Sequence, residues 1–157
     1  AFITMTEEDI IGCLTEVFEG VKAEGGLTGV HVCANTEWSV IFDSGVDIIS
    51  FDAYSYFDKL ILYPEHLVKF FKGGGVLASG IVPTTEEFID IETVESLSAK
   101  WFEQLEQLQA IGIEKQTVVK QTLITPSCGT GAISREHATK VLELTKGVSE
   151  KIRQVFA

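Results

Sequence analysis

Four short runs, LTGVHVCA (27–34), VDIISFDA (46–53), GVLASGIVP (75–83) and QTLITPSCG (121–129), are almost wholly apolar, and helical stretches separate and follow them. A strand that is apolar on both faces is buried on both, which is the mark of a parallel sheet covered by helices. The first helix reads TEEDIIGCLTEVFEGVKAEGG, with Thr6 as its N-cap, acidic residues in its first turn, and Gly25 and Gly26 as its stop. Its apolar face places Cys13 in the core. TEWSVIFDSG follows as a helix ending at Gly45, and SYFDKLILYPEHLVKFFKGGG as helical spacing with an interruption at Pro64. A long helix is predicted from about Thr93 to Gly112, and a last one after Ser134 as N-cap. His66 and His137 fall in helices beside charged neighbours and read as solvated or capping residues.

Two parallel architectures fit this alternation. A doubly wound sheet would carry a glycine-rich phosphate turn after its first strand, and HVCANTEW has no GxGxxG. The glycines of KGGGV precede a strand and read as a helix stop. The unusual polar residues instead gather at strand C-terminal ends: His31 and Cys33, Asp52, the GIVPT segment and Cys128. Active sites of the (β/α)8 barrel lie at that end of the strands, but such a barrel takes about 250 residues. The fold class expected is therefore α/β, with about four parallel strand-helix units spanning 1–157 as one half-barrel domain of a larger catalytic barrel.

Composition narrows the partners. A net charge of −11 provides no basic footprint for nucleic acid or an anionic membrane surface, so a small molecule or a protein is expected. Three widely spaced cysteines do not make the disulfide framework of a small secreted domain. No apolar run reaches the roughly 18–20 residues of a membrane span, and AFITMTEEDI lacks the basic region of a signal peptide. The expectation is a soluble, cytoplasmic protein, with Ala1 consistent with a trimmed start.

Residues i and i+2 of a strand point to one side, so His31 and Cys33 can aim an imidazole and a thiolate at one point. Cys128, at the end of another strand, can supply a third ligand. Zinc accepts this mixture of N and S donors, and three protein ligands with one exchangeable position is its usual catalytic arrangement. Singly, each residue also has an ordinary reading: a packed strand for His31 and Cys33, a tight turn for Cys128. Glu37, Trp38, Thr84, Thr85 and Glu86 either line a substrate mouth or serve as caps and helix starts, PTTEE being a strong helix N-terminus signal. Asn35 and Ser127 adjoin the candidate ligands and are placed to orient them.

HVCAN, IISFDA, ASGIVPT and TPSCGTGAIS, in this order, resemble the C-terminal catalytic barrel of the cobalamin-independent methionine synthase family, and more distantly the uroporphyrinogen decarboxylase superfamily with its zinc-dependent methyltransferases. The resemblance covers nearly the whole chain but only the second half of the family's barrel. It implies zinc held by His31, Cys33 and Cys128. The position matching the family's glutamate ligand holds Asp52, which is either a direct ligand, a ligand through water, or an acceptor that orients His31. The family's histidine after the third of these strands is missing from GIVPTTEEF, which weighs against folate as methyl donor.

The function implied is zinc-dependent transfer of a methyl group to a thiol, homocysteine by resemblance, from a folate or a corrinoid protein. Zinc stabilises a thiolate that would otherwise be mostly protonated near neutral pH. Two competing readings remain: a metal-free decarboxylase-like member of the superfamily, and a non-catalytic half barrel. An open sheet leaves edges and apolar surface unburied, so the chain is expected to associate, as a homo-oligomer or with a missing N-terminal half barrel.

Overall fold

The computed structural model describes residues 5–156. Four strands, β1 (Gly29–Val32), β2 (Ile48–Phe51), β3 (Val76–Val82) and β4 (Thr122–Pro126), form one parallel sheet in sequence order. Among the described residues eight helices accompany it: α1 (Glu7–Ala23), α2 (Trp38–Asp43), α3 (Ala53–Leu60), α4 (Pro64–Lys72), α5 (Glu86–Ile91), α6 (Val94–Ala110), α7 (Lys115–Lys120) and α8 (Arg135–Phe156).

The capping signals act where the sequence puts them. Thr6 and Asp9 make a reciprocal capping box on α1, which ends in a Schellman turn with Gly25 at φ +76°. Pro64 opens a new helix, α4, so the 55–75 stretch is two helices. Ser134 accepts from the His137 N–H at 3.1 Å at the start of α8. The six-residue α7 has no counterpart among the expected helices; it is too short to show a period, and Val118 is its buried residue.

The sheet has two unlike faces. Toward the helices point Ile49, Phe51, Leu77 and Ile81, all at most 2% exposed, and against them pack Phe57 of α3, Leu97, Trp101 and Leu105 of α6, and Val141 and Val148 of α8. On the opposite face stand Gly29, His31, Ile48, Ser50, Val76, Ala78 and Leu123, adjacent in register across the four strands. His31 is exposed and Leu123 is 51% exposed there. One covered face and one uncovered face is the arrangement of half of a (β/α)8 barrel, not of a doubly wound sheet. The near-continuous apolar runs therefore do not reflect helices on both sides. Their second face is the one a closed barrel turns inward.

The edges carry the same signature. Phe18 is the buried residue of α1, while Val17 and Val21 are 64% and 42% exposed. Cys13 is exposed too, contrary to the core position its helical spacing suggests. Part of the apolar side of α1 is therefore uncovered among the described residues.

At the N-terminal ends of the strands, Asp47 binds β1 to β2. Its carboxylate accepts from the Thr28 N–H at 2.8 Å and hydroxyl at 2.7 Å, and pairs with Lys22 at 3.0 Å. Burial pushes this carboxyl up, but the Thr28 donors and the Lys22 ammonium outweigh it and hold it below its usual range. A depressed folded-state value stabilises the fold above the unfolded carboxylate value of about 3.9, and that contribution is lost as pH falls through the folded value. Asp47→Ala is expected to lower unfolding stability by about 2 kcal/mol near pH 7 and by progressively less as pH falls below the unfolded carboxylate value, measured by urea denaturation across that range.

Candidate metal centre

β1 and β4 are the outer strands, three strand spacings apart, so in a flat sheet their ends would be separated by roughly 14 Å. Yet one ligand atom each of His31, Cys33 and Cys128 lies within 4.8 Å of the other two. The sheet is therefore strongly curled, concave on its uncovered face. Large side chains on the outer face (Phe51, Ile49, Leu77) and small ones at the middle and C-terminal end of the inner face (Ser50, Ala78, Gly80) favour that curl.

Each ligand has its own support. His31 is in β1, and its Nδ1 stands 2.9 Å from the Ser50 hydroxyl, its register partner on β2. With Nδ1–H donating to Ser50, Nε2 keeps its lone pair for a metal. Cys33 follows the last residue of β1; the ladder continues beneath it through Asp52 N–H to Val32 C=O at 3.3 Å. The loop beyond is anchored by Trp38, fully buried and edge-on to Phe51 with ring centroids 5.6 Å apart. Trp38 is thus a core residue, not part of a substrate mouth. Cys128 lies in the bend after β4, next to the buried Ser127.

The other candidate residues separate from this cluster. Asp52 is not in the group of converging ligand atoms; its Oδ1 accepts from the Ser55 N–H at 2.9 Å as the N-cap of α3. The partner that orients His31 is Ser50, a residue outside the expected site positions. Alternation along β2 puts Ser50 on one side of the strand, and the β1–β2 register is what sets it opposite His31. Glu37 accepts from Ser39 at 2.9 Å and Tyr63 at 2.8 Å, and those two hydroxyl donors hold its carboxyl below the usual range. The Thr84 and Ser127 hydroxyls are 3.1 Å apart. Thr85 is the exposed N-cap residue of α5 without a side-chain capping bond. Glu86 faces His137 at 3.3 Å, and the other ring nitrogen of His137 lies 3.5 Å from Asp90, so His137 ties α8 to α5 as well as facing the Ser134 cap.

The donor set fits a tetrahedral thiophilic cation. Zinc at its usual bond lengths of about 2.0–2.3 Å holds its ligand atoms roughly 3.5–3.8 Å apart, about an ångström closer than the outer limit of this group. All three side chains are exposed, and both cysteines are free thiols, so ligand and metal have access.

The fold and this convergence define the class: half of a (β/α)8 barrel with a His/Cys/Cys group at the C-terminal ends of its strands. Among known proteins, no family model matches the chain, and no curated protein matches it. Among solved structures it is similar to a B12-independent methionine synthase from Shewanella sp. W3-18-1, in complex with selenomethionine, at a TM-score of 0.64 and 18% identity. The match covers 93% of this chain and 43% of that one, so the chain spans less than half of its structural neighbour. At this identity the likeness is one of fold.

Ser50→Ala is expected to weaken zinc binding roughly tenfold by freeing the His31 ring, with the far-ultraviolet circular dichroism unchanged. Competition titration against a chromophoric chelator measures the change.

Proposed function

We propose that this chain is the metal-binding half of a zinc-dependent methyltransferase that alkylates a thiol, most simply homocysteine to methionine. The observation that carries the reading is the meeting of His31, Cys33 and Cys128, drawn from opposite edges of one sheet, at the strand end where barrels of this class hold their active sites. The likeness of fold to a B12-independent methionine synthase supports it.

His31, Cys33 and Cys128 would hold the metal and leave one position open for substrate. When bound, zinc supplies the positive charge that keeps a substrate thiol deprotonated at neutral pH. Two cysteine thiolates in the chain's own donor set keep the site electron-rich, which favours alkyl transfer by a soft sulfur over hydrolysis. The substrate proton leaves to solvent, to which the exposed site gives a direct path. In the transfer the sulfur gains a bond to the methyl carbon as the bond from methyl to donor breaks, its electron pair remaining on the donor. A reduced folate and a corrinoid protein both fit that role, and the missing histidine in the 80–88 segment favours the corrinoid.

Asp52, spent on the α3 cap, acts by fixing the start of that helix beside the site. Glu37 and Thr85, both exposed on the loops that follow β1 and β3, are the positions we assign to substrate contact, while the half-buried Thr84 is hydrogen-bonded to Ser127. A decarboxylase-like activity gains no support, since it has no use for the converging cysteines. The uncovered inner face and the exposed apolar side of α1 favour turnover only with a complementary half barrel in place, whether a preceding N-terminal half or a second copy.

About one zinc per chain is expected in the protein incubated anaerobically with the metal, and well under half of that in Cys128→Ser, by elemental analysis after desalting. Homocysteine should bind the zinc-loaded chain, and not the metal-free one, in isothermal titration. Equal zinc in both proteins would refute convergence of the two edges, and zinc without any thiol affinity would refute the substrate.

A further inference from the structure

Cys128 is the ligand with the least secondary structure around it, because it follows the end of β4 while His31 lies within β1 and Cys33 just past it. Its placement rests on what holds residues 126–128 against β3. There the two strands fall out of register: Ser79 faces Ile124 and Val82 faces Pro126, so β3 carries one residue more than β4 between those pairs. A bulge of this kind bends its strand and re-aims the chain beside it. Within it sits Gly80, and a Cβ at that position would lie 2.4 Å from the Phe51 carbonyl oxygen, 2.7 Å from Ser127 Cα and 3.0 Å from the Pro126 oxygen. All three are backbone atoms of the flanking strands or their ends. A methyl group there would wedge the end of β2, which carries β1, away from the end of β4.

Two further bonds fix the same segment. The Ser127 N–H donates to the Val82 carbonyl at 2.8 Å, extending the β3–β4 ladder one residue past the strand. The Ser127 side chain is buried, at 4% exposure, and its hydroxyl meets that of Thr84 at 3.1 Å. A buried hydroxyl needs a partner, and here that partner comes from the loop after β3.

We infer that Gly80, Ser127 and Thr84 form a positioning clamp that sets the Cys128 sulfur opposite His31 and Cys33, so that a third ligand reaches the metal from the far edge of the sheet. The inference rests on the metal-site reading above. Gly80 determines how closely the two edges approach, and the Thr84–Ser127 bond fixes the start of the bend. Thr84 thereby acts through Cys128 and not on substrate.

The test is cobalt(II) substitution of the full chain, because thiolate-to-cobalt charge-transfer absorption scales with the number of bound cysteine sulfurs. The wild type is expected to show the intensity of two thiolates. Gly80→Ala and Thr84→Val are each expected to bring it toward that of one, with metal affinity lower by about tenfold to a hundredfold. Thr84→Ser, which keeps the hydroxyl, is expected to retain the wild-type spectrum. A role in folding alone would shift the melting temperature without changing the spectrum of the folded protein. Should Gly80→Ala fail to fold, the comparison of Thr84→Val with Thr84→Ser decides alone. A two-thiolate spectrum in Thr84→Val at wild-type affinity overturns the clamp and leaves the metal site standing. A wild type with no thiolate absorption overturns both.

Discussion

The curl of the four-stranded sheet is the constraint on which everything else depends. Strand order β1-β2-β3-β4 puts the two ligand-bearing strands as far apart as the sheet allows, and their ligand atoms nonetheless lie within 4.8 Å. That contradiction is resolved by shape. Bulky residues fill the layer between sheet and helices, while Ser50, Ala78 and Gly80 leave the inner face free to close. The inner face buries little beyond Ala78, so the apolar stabilisation comes mainly from the outer layer, where Phe51, Leu77, Trp101 and Leu105 pack. The same packing that makes the core therefore also makes the site.

The half-barrel form has a cost written on its surface. Leu123 on the inner face, Val17 and Val21 on α1, and Leu142 and Val155 on α8 stand 42–64% exposed. They lie on the inner face and on the first and last helices. No helix among the described residues is long and apolar enough to cross a membrane. A net charge of −11 gives the exposed surface a solvating and mutually repelling character, which offsets the tendency of open edges to aggregate.

Much of this was legible in the sequence, and for physical reasons. Apolar runs and capping residues identified all four strands and most helices, because those signals depend on local chemistry: Thr6 and Ser134 cap where expected, and the helix expected from about Thr93 begins there. Strand-end placement of His31, Cys33 and Cys128 gave the cluster, since parallel strands put their C-terminal ends on one side. What was not legible depends on register and packing. That Ser50 and not Asp52 supports His31 follows from which residues face each other across β1 and β2. Asp52 is taken up by the α3 cap, because that helix begins at the next residue and offers the Ser55 N–H three residues on. Cys13 is exposed although its spacing puts it on the apolar side of α1, because spacing tells which side of a helix is apolar and not whether anything covers it; of the two readings of Trp38, burial leaves the helix start. The bulge at Gly80 left no trace beyond a glycine within a strand.

X-ray absorption at the zinc edge tests the central claim most directly, because it counts the atoms around the metal without reference to activity. Zinc-loaded protein is predicted to show two sulfurs and one imidazole nitrogen in the first shell, with one exchangeable light atom completing it. A shell with a single sulfur, or with light atoms alone, would mean that the two edges of the sheet do not meet on one metal, and would contradict the account.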